Sequence, residues 1–122
     1  MALAALAPDG RAQQPVVVGA ALPQSGMLAD IAVDLRKSLL LWQEEANAAG
    51  GLLGRRVELR LLDDHSTAAD AGRLYEQLIR EFRVDLLIGP FGSAASLGAA
   101  ASAERNRHVM VNATGEIGRA HV

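Results

Sequence analysis

The side chains best suited to chemistry fall in four short stretches, each following an apolar run: LPQSGM (Leu22 to Met27), DDHST (Asp63 to Thr67), GPFGSAAS (Gly89 to Ser96) and NATG (Asn112 to Gly115). Catalysis is poorly provided for. No G-x-x-x-x-G-K-[ST] loop is present, and the single lysine, Lys37, falls in the middle of a helical pattern. GAALPQSG after the first apolar run is not G-x-G-x-x-G, and GPFGSAAS is not G-x-S-x-G. His65, His108 and His121 lack metal-ligand spacing, so no metal is expected, and no cofactor either. Asp63 and Asp64 resemble the paired acids of a receiver domain, but there the pair follows the first strand and a phosphorylated aspartate follows the third. Here the third run ends LLIGP, so a structural role at a strand end is expected. A small α/β hydrolase or a flavodoxin-like enzyme would need a catalytic histidine or a phosphate loop, and the chain supplies neither. It is not expected to be an enzyme.

Binding chemistry remains. Gly89 to Ser93 leads from an apolar run into an Ala-rich helical segment, and a helix start offers backbone N–H groups and a partial positive charge. Ser93 reads as the N-cap, with a hydroxyl that can turn to a bound anion, while Ala94, Ala95 and Ser96 allow close approach. The result is a cradle for a carboxylate or a phosphate, built without a cationic side chain. Many strand-to-helix turns carry a capping serine and bind nothing.

The elements that would position these groups follow from periodicity. PVVVGAAL (Pro15 to Leu22) is uniformly apolar, as in a strand buried on both faces. Ala29 to Ala49 is helical, with a stripe of Leu35, Leu39, Trp42, Ala46 and Ala49, Asp30 as N-cap and Gly50–Gly51 as the stop. In RRVELRLLDD, Val57, Leu59 and Leu61 alternate with Glu58 and Arg60, as in a strand nearer an edge. STAADAGRLYEQLIREF is a second helix, with Thr67 and Asp70 in a capping pattern, a buried stripe of Ala71, Leu74, Tyr75, Leu78 and Phe82, and a Glu76–Arg80 pair on its wet face. VDLLIGP, SAASLGAAASAERN and HVMVNATG complete a β-α-β-α-β-α-β order. That order implies an α/β fold: a parallel sheet with helices on both faces and ligands at the strands' carboxyl ends.

With 122 residues, half of them apolar, and a net charge of −2, the chain suits one compact domain and offers no basic field for nucleic acid. Aromatics are 3%, too few for base-stacking platforms. The absence of cysteine excludes disulfides, zinc-thiolate sites and a cysteine nucleophile. No apolar run reaches the roughly 20 residues of a membrane span. Residues 1–14 read as the tail of a signal peptide or a disordered leader. EIGRAHV (Glu116 to Val122) lacks an apolar period and equals the one-frame translation of a common sequencing adapter, so it is expected to be a non-native tail on a lobe spanning 15–115.

VVVGAALPQSG, EEANAAGGLLGRRVELRLLDD, LLIGPFGSAAS and VMVNATG together resemble the N-terminal lobe of the branched-chain amino-acid-binding family, the type I periplasmic substrate-binding proteins of ABC transporters. N-A-x-G-G-[IL]-x-G-R is the most specific piece, and the resemblance runs from about Pro15 to Gly115. It implies two α/β lobes joined by three crossovers, closing by a hinge on a small amino-acid-like ligand that is passed to a membrane permease. It further implies that Ser93 receives the ligand carboxylate, helped by the amide of Ala94 and those after it. Thr114 and Gly115 would contact the amino and carboxylate groups, and Ser25 with Gly26 would form cleft wall. Ile31 stands where some members place an aromatic against the ligand side chain, and Glu116 where the family often has Thr. The acid that pairs with the ligand ammonium comes from the second lobe, so these 122 residues alone are expected to show no saturable amino-acid binding by calorimetry. The alternative on the same fold is a cytoplasmic ligand-sensing regulatory domain. A periplasmic importer component would be distinguished by a signal peptide and by neighbouring permease and ATPase genes.

Overall fold

The computed structural model describes residues 14–115. Both the leader and the terminal heptapeptide expected from the sequence lie outside the described residues, apart from Gln14. Strand β1 (Val16–Leu22) is followed by helix α1 (Ala29–Ala48), strand β2 (Val57–Asp63), a 3₁₀ turn (Ala68–Asp70), helix α2 (Ala71–Arg80), strand β3 (Leu86–Ile88), helix α3 (Ser93–Arg105) and strand β4 (Met110–Val111). The four strands form one sheet in the order β2-β1-β3-β4, and every pair is parallel. The α/β class and the alternating order expected from periodicity are therefore present.

β1 pairs with β2 along its whole length, from Val16↔Val57 to Leu22↔Asp63. Its uniform apolarity follows from burial on both faces. Val16 and Val18 pack with Val57 on one side, beneath Ala46 of α1. Ala21 packs with Leu74, Tyr75, Leu78, Leu87, Ala99 and Ala103 on the other, beneath α2 and α3. Burying Leu78 or Leu87 contributes about 1.5–3 kcal/mol each. α2 and α3 are further tied by Glu76, whose carboxylate accepts from Arg80 Nε (2.9 Å), Arg105 Nη2 (3.2 Å) and Asn106 Nδ2 (3.0 Å). The Asn106 bond, followed by those of the two arginines, holds the Glu76 carboxyl below its usual range.

Several local expectations need correction. The buried side of α1 passes through Gln43 and Asn47, whereas Trp42 is 36% exposed and Ala49 is exposed. The reason lies in β2, an edge strand with backbone groups open on its outer side. Asn47 accepts from the Val57 amide (2.7 Å) and donates to its carbonyl (2.9 Å), and Gln43 accepts from the Leu59 amide (2.8 Å). Leu28, not Asp30, stands at the N-cap of α1, and Thr67 makes no side-chain cap bond. The stop at Gly50 and Gly51 is as expected, both with φ in the left-handed region (106° and 82°).

Candidate functional site

β1 and β3 are neighbours in space, but the chain leaves β1 toward β2 on one side and reaches β3 on the other. This is the switch point of the sheet, the place at the strands' carboxyl ends where folds of this kind form their ligand crevice. Two pairs of loops flank it.

The β1–β2 half is closed by its own side chains. Asp63 ends β2, and its carboxylate accepts from the Gln24 amide (2.9 Å), the His65 amide (2.8 Å) and the Ser25 hydroxyl (2.8 Å). Desolvation pulls this carboxyl upward, but those three donors outweigh it and hold the group below the ordinary value. Asp64, 2% exposed, accepts from the Ser66 amide (2.8 Å), and burial pushes its carboxyl up. These bonds hold His65 and Ser66 in consecutive left-handed conformations (φ 53° and 62°), which non-glycine residues adopt only under constraint. Ser66 Oγ then donates to the Ser25 carbonyl (2.7 Å) and accepts from the Leu28 amide (2.9 Å). Gly26 (φ 87°) lies so close that a Cβ there would sit 2.7 Å from the His65 carbonyl.

Ser25, His65 and Asp63 are thus brought together, yet not as a hydrolytic triad. That arrangement needs the hydroxyl and the carboxylate on opposite ring nitrogens. Here both lie at Nδ1, Ser25 Oγ at 2.7 Å and Asp63 Oδ2 at 3.2 Å. Since Ser25 gives its one proton to Asp63, Nδ1 carries a hydrogen and donates.

The β3–β4 half is built differently. Gly92 (φ 94°) is the N-cap of α3 and makes no side-chain cap bond. Ser93 is the first helical residue, a correction to its expected capping role. The Ser96 amide bonds the Gly92 carbonyl (3.0 Å), and the Ser96 hydroxyl donates to the same oxygen (2.7 Å). The amides of Ala94 and Ala95 lie in the first turn, ahead of the first intrahelical acceptor. Thr114 ties the two loops, accepting from the Gly92 amide (2.9 Å) and donating to the Pro90 carbonyl (3.0 Å). Asn112 closes the last loop on itself, accepting from the Gly115 amide (3.2 Å) and donating to the Gly115 carbonyl. Gly115 packs so tightly on α3 that a Cβ would fall 2.6 Å from Ser96 Cβ. Ser93 and Ala94 are exposed at the rim. No acidic side chain occurs in residues 89–96 or 112–115.

Of the residues singled out from the sequence, Ser93, Ala94, Thr114 and Gly115 thus belong to one assembly. Ser25 belongs to the other assembly, a latch formed with Asp63, His65 and Ser66, and Ile31, 63% exposed, lies in the first turn of α1. His65, Ser66 and Asn112 were not expected; the DDHST and NATG stretches offered polar residues but no spacing that fixed their partners. A surface groove lined by Gly72, Arg73, Glu76, Gln77, Arg80, Glu81 and Arg105 runs along α2 and α3 rather than at the rim.

The family model described as Periplasmic binding protein matches residues 15–121. Among solved structures, the branched-chain amino acid transporter substrate-binding protein LivJ of Streptococcus pneumoniae, in complex with isoleucine, is 27% identical with a TM-score of 0.79, over 84% of this chain and 29% of that one. A solute-binding ABC transporter protein of R. palustris, in complex with benzoate, is 26% identical with a TM-score of 0.73, over 83% and 28%. A periplasmic binding protein type 1 of Bordetella pertussis, at 22% identity and a TM-score of 0.72 over 80% and 26%, shares the fold. This chain spans under a third of the length of each. Its parallel sheet matches a lobe of these proteins, the first two of which are substrate- or solute-binding proteins of transporters. With the family model matching all but the first residues and the last, this chain belongs to the periplasmic binding protein family.

Proposed function

We propose that this lobe forms one wall of a two-lobed receptor that captures a small carboxylate-bearing solute, such as an amino acid or amide, and delivers it to the membrane permease of an ABC importer in the periplasm. One observation carries the reading: the start of α3 and the Thr114 loop are hydrogen-bonded into one acid-free rim with Ser93 and Ala94 exposed. An approaching carboxylate meets helical amides and a positive dipole end, worth about 0.3–1 kcal/mol when exposed and up to about 2 kcal/mol when partly buried. Ser93 Oγ and the amides of Ala94 and Ala95 take the carboxylate. Thr114 and Gly115 border the group attached to it, Ile31 faces the ligand's side chain, and Ser25 belongs to the wall.

The ligands of two relatives support carboxylate capture, since isoleucine and benzoate have that group in common. One open wall is weak, however. A Kd of 1 mM already needs about −4.1 kcal/mol, so tight capture requires desolvation by a second lobe. The test is binding to the two-lobed protein that carries this lobe, measured with branched-chain amino acids and benzoate. Binding of at least one, weakened about tenfold or more by Ser93→Ala, is expected. Unchanged affinity in that variant overturns the assignment.

A further inference from the structure

The crevice depends on where β1 and β3 part. Their ladder contains only Val18↔Leu86 and Gly19↔Leu87, although β1 continues to Leu22 and β3 to Ile88. A side chain from α2 stands in the gap. Tyr75, fully buried, accepts from the Ala21 amide at 3.1 Å and donates to the Ile88 carbonyl at 2.7 Å. One hydroxyl thus takes a bond from one strand and gives a bond to the other, satisfying two backbone groups that the separation would leave without a strand partner.

Its place is specific. Ala21 lies two residues before Pro23, where the Ser25 loop begins, and Ile88 immediately precedes Gly89, where the approach to Ser93 begins. The ring is packed in the cluster with Leu74, Leu78 and Leu87, so the hydroxyl has little freedom to follow a strand that moves. We infer that Tyr75 is a positioning residue: a wedge whose hydroxyl sets the separation of β1 and β3, and so the distance between the Ser25 loop and the start of α3. Without the oxygen, Ala21 N–H and Ile88 C=O must find each other or admit water, and either change alters the crevice. The relevance of this spacing to capture rests on the receptor reading above; the spacing itself does not.

The chain has no cysteine, so paired spin labels can be placed without competing thiols. Met27→Cys with Leu97→Cys reports across the crevice, from exposed positions in the first loop and on α3. Leu53→Cys with Val109→Cys, also exposed, is the control pair outside it. Tyr75→Phe is expected to shift or broaden the crevice distance while the control distance holds. Leu78→Ala, a truncation on the same helix that keeps the hydroxyl, is expected to lower Tm and leave the crevice distance unchanged. An unaltered distance in Tyr75→Phe, or an equal change in Leu78→Ala, overturns the inference. If Tyr75→Phe fails to fold, amide exchange on the unsubstituted protein decides. Ala21 protected like the ladder amides of β1 supports the wedge, and Ala21 exchanging as fast as the exposed Met27 overturns it. None of these readouts needs a ligand, so failure of the wedge leaves the carboxylate dock standing, and failure of the dock leaves the wedge standing.

Discussion

The two halves of the rim use polar residues in opposite ways. On the β1–β2 side, two carboxylates, two serines and a histidine bond to one another and to nearby amides, holding His65 and Ser66 in a constrained backbone. On the β3–β4 side, Thr114, Ser96 and Asn112 tie the loops together, and small residues are exposed at the helix start. Charge follows the same division: Asp63 and Asp64 lie on the first side, while residues 89–96 and 112–115 carry no acid. On the proposed reading, a negatively charged group would be repelled by the first half and received by the second. The acidic half fixes geometry; the uncharged half presents donors.

Breaking the latch should give the largest effect. Gly26→Ala places a methyl group against the His65 carbonyl in a left-handed conformation, and a loss of about 3 kcal/mol in chemical denaturation is expected. Asp63→Ala removes the acceptor of three hydrogen bonds and should cost about 2 kcal/mol by the same measurement.

The two aspartates should also respond oppositely to acid. Asp63 has a folded-state pKa below its unfolded value, so its contribution is present above the unfolded pKa and is lost as pH falls through the folded pKa. Asp64 has a raised folded-state pKa, so its charged form opposes folding at neutral pH, and that cost disappears as pH falls through the raised value. Stability measured against pH should therefore lose part of its acid decline in Asp63→Asn. In Asp64→Asn it should lose an opposing rise on acidification. Identical profiles for the two variants would remove the distinction. On the other half, Thr114→Val should cost only about 1 kcal/mol, because a solvated rim relaxes around the lost bonds, but it should loosen the Gly92 amide in hydrogen exchange.

Much of the frame was legible in the sequence because it depends on long apolar runs. β1, the buried stripe of α2 and the edge character of β2 follow from periodicity that burial enforces, and the glycine stop after α1 follows from its left-handed turn. The caps were less legible. Ser93 is a favourable N-cap type, yet Gly92 holds that position because the chain enters α3 with φ of 94°, a conformation disfavoured for serine. Trp42 looked like core by spacing, but the open edge of β2 calls for amides, and Gln43 and Asn47 took the inward positions. The latch was not readable at all. Ser25 and His65 are 40 residues apart, and no local pattern records that the loops after adjacent strands will meet. The Tyr75 hydroxyl was hidden for a related reason: its ring obeys the helical stripe, while its oxygen serves a gap that only the assembled sheet creates.

The proposed capture requires a carboxylate to dock on the uncharged half of the rim. Backbone amide shifts of this chain, followed during titration with isoleucine and, separately, with acetate into the millimolar range, test it most directly. Weak, matching changes are expected at Ser93, Ala94, Ala95 and Thr114 with both ligands, and none at Asp63 to Ser66. Changes centred on the groove of Arg73, Arg80 and Arg105, or on the Asp63 latch, with the start of α3 silent, would contradict it.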